Sequence, residues 1–312
     1  MPIPMKAVRI RSFGGPEVLE VTDLECPEPR NDEVLIKVRA ASVNPVDYKI
    51  RSGRYPAVKP EELPMVLGRD VAGVIERCGR EVRDLAAGDT VYAMLDEHSG
   101  GYAEYVAVRA DLCAPKPRQL DYRTAAAVPL AGLTAWQALF DHGALERGQH
   151  VLIHGGAGGV GHLALQFAKA RGATVTTTVG PEDLGLARDL GADQVIDYTH
   201  ERFEEAVHGV DLVVDLIAGQ TQERSWAVLK DGGTLVSTLG APPAAAARER
   251  GARALHFIAH PDRAELIEIG RLIDDGAVHP HVSAVYELTD MRAAQQRLEH
   301  EHAQGKIVLE VG

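Results

Sequence analysis

Five glycines fall within His154-Gly155-Gly156-Ala157-Gly158-Gly159-Val160-Gly161. They contain the pattern Gly156-x-Gly158-x-x-Gly161. The segment follows the apolar run Val151-Leu152-Ile153 and opens an amphipathic stretch over 163–170. Strand, glycine turn and helix in that order are what a dinucleotide's pyrophosphate requires. Glycines allow a tight turn and close approach of the backbone. The helix start then offers free N–H groups and a positive dipole end to the anion. Gly156, Ala157, Gly158, Gly159, Val160 and Gly161 are therefore the expected cofactor-binding residues. A turn whose glycines serve only chain geometry is the competing reading. The strand–turn–helix context favours the phosphate site.

The second strand tests which nicotinamide cofactor fits. An NAD site places an acid at that strand's end, about 20 residues on, to bind the ribose hydroxyls. Here Val175-Thr176-Thr177-Thr178-Val179 runs into Gly180-Pro181. No acid stands at the tip, which leaves room for a 2′-phosphate and favours NADPH over NADH. No Arg or Lys stands there either, and Glu182 and Asp183 follow closely.

These residues need a frame. Short alternating or β-branched runs at 6–11, 18–21, 34–41, 71–78, 90–94 and 103–108 predict a β-rich first half, with Gly, Pro, Asn and Asp between them. The character changes near Leu120, and 124–140 reads as helix. Strands are expected at 150–154, 174–179, 194–196, 212–216 and 234–238, and helices at 161–171, 181–190 and 222–229. Such alternation means a parallel sheet covered on both faces. A helix is expected from Pro261 to about Asp275, and a strand at 306–311. The Ala244–Ala247 run reads as a loop or helix start without function.

Composition limits the remaining possibilities. With 312 residues, two domains are the prior expectation. Lys+Arg total 33 against Asp+Glu 45, a net charge of -12. Phosphate backbones repel such a chain, which argues against nucleic-acid binding. No apolar run reaches the roughly 18 residues of a membrane span. The segment 1–12 has no long apolar core and no cleavage site, so it is not read as a signal peptide. Cys26, Cys78 and Cys113 lie far apart. A disulfide framework is not expected, and a cytoplasmic setting is the simplest.

Together these residues resemble the medium-chain dehydrogenase/reductase superfamily, in its quinone oxidoreductase branch. The segments that carry the resemblance are Val43-Asn44-Pro45-Val46-Asp47, Leu67-Gly68-Arg69-Asp70-Val71-Ala72-Gly73-Val74, Gly101-Tyr102-Ala103-Glu104-Tyr105, 155–161 and Gly305-Lys306-Ile307-Val308-Leu309. They span nearly the whole chain in order. The resemblance implies an α/β fold: a GroES-like β-rich catalytic domain (1–121 and 276–312) and a Rossmann, doubly wound parallel-sheet domain (122–275). The branch includes zeta-crystallin-like quinone reductases and alkenal or enone reductases. It implies NADPH, a homodimer and no metal.

Zinc-dependent relatives have Cys where this chain has Asn44, and Gly-His-Glu where it has Gly68-Arg69-Asp70. Catalytic zinc needs three protein ligands, so a zinc-independent enzyme is expected. His279-x-His281 and His300-x-His302 are read as surface histidines. Hydrogen-bond donors must then do the work of a Lewis acid. The resemblance places Asn44, Tyr48 and Lys49 at the acceptor, as the expected catalytic residues. Tyr48 and Lys49 are adjacent and point in different directions in a regular element. Asp47 is read as a buttress of this turn, and Arg69 as an acceptor-site or ion-pair residue. Lys at position 49 matches alkenal/enone-type members, whereas zeta-crystallin-like members tend to have Tyr there.

By the same resemblance, Thr134 lies near the nicotinamide and Leu239-Gly240 beside its ring. Gly180 and Tyr198 meet the adenosine 2′-phosphate region. The expected function is NADPH-dependent reduction of quinones or α,β-unsaturated carbonyls. Two alternatives stay open at this point. One is a metal-free, NAD-dependent alcohol dehydrogenase. The other is a cofactor-binding, redox-sensing or structural protein with little turnover.

Overall fold

The computed structural model describes residues 4–312. The first three residues of the 1–12 segment lie outside them. The chain forms two compact units. One is Met1–Leu130 with Pro261–Asp274 and Pro280–Gly312; the other is Ala131–His260 with Asp275–His279. The sequence reading put the first boundary at 121/122 and the helix after Pro261 in the Rossmann unit. That helix instead belongs to the β-rich unit. Its Leu266 carbonyl accepts the Tyr92 hydroxyl at 2.5 Å, and Asp274 accepts the Gln119 N–H at 3.0 Å.

In chain order the strands of the first unit are β1 (Pro4–Ile10), β2 (Glu20–Glu25), β3 (Glu33–Val43), β4 (Met65–Val66), β5 (Asp70–Cys78), β6 (Thr90–Met94), β7 (Tyr105–Arg109) and β8 (Ala114–Pro115). Helices α1 (Pro45–Arg51) and α2 (Tyr122–Ala126) also belong here, and α3 (Pro129–Trp136) follows. The second unit carries β9 (His150–His154), α4 (Gly161–Arg171), β10 (Thr174–Val179), α5 (Leu184–Asp189), β11 (Gln194–Asp197), α6 (Phe203–Ala206), β12 (Val210–Asp215), α7 (Gly219–Ser225), β13 (Leu229–Ser237), α8 (Ala244–Glu249) and β14 (Arg253–His256). The chain returns to the first unit with α9 (Arg263–Asp274), β15 (Val282–Glu287), α10 (Met291–His300) and β16 (Lys306–Glu310).

Strand β3 is the hub of the first unit. It pairs antiparallel with β5 along most of its length, with β7 at its start and with β16 at its end. Buried Val34, Ile36, Val38, Val71, Ile75, Ile307 and Leu309 pack the core around it. The register matters for function. Ser42 faces Asp70 across one ladder, and Val43 faces Ile307 across the other. The residue after Val43 is therefore delivered between Asp70 and Lys306.

The six strands of the second unit are parallel, in the order β11-β10-β9-β12-β13-β14. The chain winds outward from β9 in both directions. The strand order thus reverses between β9 and β12, where doubly wound sheets bind ligands beyond their carboxyl ends. Leu152, Val213, Leu235, Phe203 and Trp226 are among the core residues. No helix among the described residues is long and apolar enough to cross a membrane.

Some expected elements shift for local reasons. The helix expected over 124–140 is three pieces: α2, α3 and a π-helical turn Gln137–His142. Pro129 lacks an N–H and pushes Val128 out of the helical region, which divides α2 from α3. The strand expected at 18–21 begins at Glu20, because Pro16 opens a 3-10 turn over Pro16–Val18. The helix expected at 222–229 is Gly219–Ser225 instead. Asp215 Oδ1 accepts the N–H groups of Ile217 and Ala218 at 3.0 and 2.8 Å, so the turn starts the helix early. The Ala244–Ala247 run opens α8.

Candidate active site

In the second unit the glycine turn joins β9 to α4. Each glycine has its own physical reason. A Cβ on Gly156 would lie 2.1 Å from Thr177 Oγ1, and one on Gly161 would lie 2.1 Å from the Gly155 carbonyl oxygen. Both positions must be bare for helix and strand to pack. Gly158 is different. A Cβ there would meet nothing closer than 3.4 Å, and its φ is not positive. Neither packing nor backbone strain requires glycine at 158. A bare, open backbone at a helix start is what a pyrophosphate needs. The residues present fit a dinucleotide.

His154 braces this turn from below. Its Nδ1 lies 3.0 Å from Thr178 Oγ1 and its Nε2 2.9 Å from Ser225 Oγ. Ser225 Oγ donates to the Thr221 carbonyl at 2.6 Å. This network assigns the proton to Nε2, with Nδ1 accepting from Thr178. Burial pushes the imidazole down to about 4, so it stays neutral. The ring ties β9, β10 and α7 together beneath the glycines.

The other expected cofactor residues lie in the same unit. Gly180 is buried at the tip of β10, and Tyr198 is 59% exposed just beyond β11. The Tyr198 N–H donates to the Val179 carbonyl at 3.2 Å, so the two tips are adjacent. Leu239, 47% exposed, and Gly240 follow β13. Thr134 is buried in α3.

In the first unit Asn44 follows β3 and caps α1. The Asp47 carboxylate closes that cap, its Oδ2 accepting the Asn44 N–H at 2.7 Å and the Tyr102 hydroxyl at 2.5 Å. Burial raises the Asp47 carboxyl to about 7, because its charged form has lost water. The Tyr102 ring explains Gly68. A Cβ there would lie 2.5 Å from Tyr102 Cδ1, and φ is +102°.

Asn44 is 2% exposed, and its side chain is fully engaged. Its Nδ2 donates to Asp70 Oδ2 at 2.8 Å and to Ser42 Oγ at 3.3 Å. Its Oδ1 accepts from Lys306 Nζ. Asp70 accepts three further bonds or contacts: Ser42 Oγ at 2.6 Å, the Leu130 N–H at 2.7 Å and Lys306 Nζ at 3.9 Å. Lys306 is 4% exposed, and burial lowers its pKa, with Asp70 and Asp47 opposing. Tyr48 and Lys49 sit half-buried on α1. No hydrogen bond engages the Tyr48 hydroxyl or Lys49 Nζ among the described residues; Arg54 lies over the Tyr48 ring at 5.8 Å. Arg69 is buried and donates to the Leu95 carbonyl at 2.9 Å.

A zinc ion does not fit these residues. Position 44 offers an amide instead of a thiolate. Position 69 offers a guanidinium already bound to a carbonyl. The space between Asn44 Oδ1 and Asp70 holds an ammonium, which repels a second cation.

Sequence reasoning brought out Asn44, Tyr48 and Lys49 but missed Lys306 and Asp70 as parts of one cluster. Both stand within motifs that carried the family resemblance. Only the pairing of β3 with β5 and β16 unites them.

Known proteins agree with this architecture. The family model described as "Alcohol dehydrogenase GroES-like domain" matches residues 30–118, and "Zinc-binding dehydrogenase" matches residues 190–309. An Arabidopsis thaliana protein named "NADPH-dependent alkenal/one oxidoreductase, chloroplastic" is 38% identical over 323 residues, covering 99% of this chain and 80% of its own. The solved quinone oxidoreductase from Coxiella burnetii has a TM-score of 0.92 at 36% identity, covering 99% of this chain and 100% of its own. A solved structure described as an NAD-dependent alcohol dehydrogenase has a TM-score of 0.91 at 34% identity, covering 98% and 100%.

Proposed function

The chain belongs to the medium-chain dehydrogenase/reductase superfamily, and from that membership we propose an oxidoreductase that reduces α,β-unsaturated carbonyls or quinones with NADPH and without zinc. The observation that carries the cofactor half is Gly158, a glycine with no packing or conformational reason in the turn that leads into α4. The likeness to an NADPH-dependent alkenal/one oxidoreductase supports NADPH over NADH, although the Glu182 carboxylate lies against the strand tip at Gly180.

Bound NADPH supplies the hydride. The first unit supplies polar groups for the acceptor. When an enone gains a hydride at its β-carbon, charge develops on the carbonyl oxygen and the α-carbon then needs a proton. Tyr48 and Lys49 are the expected catalytic residues with free polar ends, one to donate to that oxygen and one to furnish a proton. Asn44 has no free donor, so its part is to hold the start of α1. Asp47 and Tyr102 brace the same turn.

The likeness to an NAD-dependent alcohol dehydrogenase favours a second reading, NADH-linked alcohol oxidation. The open edge strand Arg253–His256, with Ile258 68% exposed beyond it, supports a homodimer. A cytoplasmic setting accords with three free cysteines.

The experiment is cofactor oxidation with NADPH and NADH in parallel, against one quinone and one enone, with a chelator present. NADPH oxidation that survives the chelator is expected. Turnover only with NADH, or only without chelator, would overturn the cofactor or the zinc assignment.

A further inference from the structure

The Lys306 ammonium is buried between Asn44 and Asp70, and its contacts are not those of a simple counterion. Asp70 already accepts three N–H or O–H donors at 2.6, 2.7 and 2.8 Å. Lys306 Nζ lies 3.9 Å from Asp70 Oδ2 but in direct hydrogen bond to Asn44 Oδ1, with the Val43 carbonyl at 3.4 Å. Its nearest partner is thus a neutral amide oxygen. Burying an ammonium is costly, and an apolar side chain of similar length would avoid that cost.

The amide of Asn44 has two ends of similar shape. Lys306 only donates and the Asp70 carboxylate only accepts, so together they grip the amide from both ends and fix which end faces which neighbour. With Lys306 in place, Oδ1 must face the ammonium, and Nδ2 must face Asp70 and Ser42. Without it, Oδ1 loses its donor, and the amide is held from the Asp70 and Ser42 side alone. Asn44 is also the cap of α1, the helix that carries Tyr48 and Lys49. Asp70 from β5 and Asp47 from α1 are the charged or titratable groups facing the ammonium, with Tyr102 behind Asp47.

We propose that Lys306 is the resident cation of this site, a positioning residue that locks the Asn44 amide and, through it, the first turn of α1 in the pose used for reduction. The proposal rests on the reductase reading above. It assigns the fixed positive charge to the protein itself.

The test compares Lys306→Met, Asp70→Asn and the double variant, which is neutral and close in shape to the native pair. Lys306→Met should lower kcat with an enone at least tenfold, with KM changed less than threefold and NADPH affinity within twofold. The double variant should regain thermal stability but not kcat. If kcat recovers in step with stability, Lys306 is only a counterion and the proposal fails. If Lys306→Met does not fold, the double variant decides alone, and wild-type kcat in it sinks the idea. A second readout needs no turnover. The side-chain amide signal of Asn44 in 1H–15N NMR, assigned by its loss in Asn44→Ser, should shift on alkaline titration of the native protein and stay fixed in the double variant. An amide that ignores the titration overturns the positioning role. An active-looking amide titration in a protein that turns over no acceptor would instead sink the reductase reading alone.

Discussion

The Tyr102 hydroxyl donates to Asp47 Oδ2 at 2.5 Å, while Asp47 Oδ1 is buried with no hydrogen-bond partner. One carboxylate oxygen is thus doubly bonded and the other bare. Asp70 and Lys306 already balance one negative and one positive charge nearby. Loss of water around the buried carboxyl raises Asp47 to about 7, so it holds a proton up to that pH; the nearby Asp70 charge adds to this, while Lys306 and the Tyr102 and Asn44 hydrogen bonds oppose it.

That proton makes stability depend on pH with a defined sign. The folded carboxyl sits near 7 and the unfolded one near 3.8. The folded state therefore binds a proton that the unfolded state has released. The stabilisation is fully present below the unfolded value and is lost as pH rises through about 7. The denaturation midpoint should fall between pH of about 5 and 7 more steeply in the native protein than in Asp47→Asn, and the two slopes should converge above that. Every other side chain is common to the two proteins, so the difference in slope isolates Asp47. Parallel slopes would show that Asp47 is already charged at neutral pH.

The glycine turn predicts two opposite outcomes from one substitution type. Gly161→Ala puts a methyl 2.1 Å from the Gly155 carbonyl oxygen and should destabilise the protein by about 1–3 kcal/mol. Gly158→Ala meets nothing closer than 3.4 Å and should leave the melting temperature within a degree or so, at roughly ±0.5 kcal/mol. Its cost should appear in NADPH affinity, at about tenfold or 1.4 kcal/mol, read by quenching or enhancement of nicotinamide fluorescence. A Gly158→Ala protein that binds NADPH normally would remove the main support for the cradle.

Elements with a complete local signal were readable from the chain. Strands 90–94, 150–154 and 174–179 and the helix 161–171 match to the residue, since each has its own periodicity and its own stops. The catalytic-side cluster had no such signal. Lys306 lies 262 residues from Asn44, and only the antiparallel pairing of β3 with β16 unites them. Nothing in the run Pro45–Arg51 marks Asp47 as the buried residue and its neighbours Tyr48 and Lys49 as half-exposed ones. That division follows from which face of α1 packs on Tyr102. The helix α9 looked like a continuation of the α/β alternation because its apolar face says how much it buries, not against which sheet.

Arg51 anchors the far end of α1. It is fully buried, with Nη1 donating to Gln295 Oε1 at 2.6 Å and Nη2 to Glu299 Oε2 at 2.8 Å on α10. Arg51→Met leaves the Gln295 amide oxygen without its donor and the Glu299 carboxylate with Arg54 alone, at 3.5 Å. The loss should be about 3–5 kcal/mol of unfolding free energy. Glu299→Gln, which keeps an acceptor and removes the charge, should cost less than half as much. Equal losses in the two variants would mean that the carboxylate charge, not the donor fork, sets the stability of this tether. Calorimetry or urea titration reads both.

Lys49 and Tyr48 divide the chemistry between them, and their substitutions separate the two roles. Among the described residues neither the Tyr48 hydroxyl nor Lys49 Nζ makes a hydrogen bond that supports the fold, and the Tyr48 ring meets the Arg54 guanidinium at 5.8 Å. Lys49→Met and Tyr48→Phe should therefore melt within about 0.5 kcal/mol of the native protein. A residue that donates to the developing oxyanion is missed in the transition state, and its loss should lower kcat by about 10²–10³. A residue that furnishes the proton should lose about 10²–10⁴ with an enone. A quinone takes its protons on oxygen and can draw them from water, so loss of the proton source should cost it far less. The residue whose removal slows the enone much more than the quinone is thus the proton source, and the one that slows both is the oxyanion donor. Unchanged kcat for both acceptors in both variants would move the reaction away from α1 altogether.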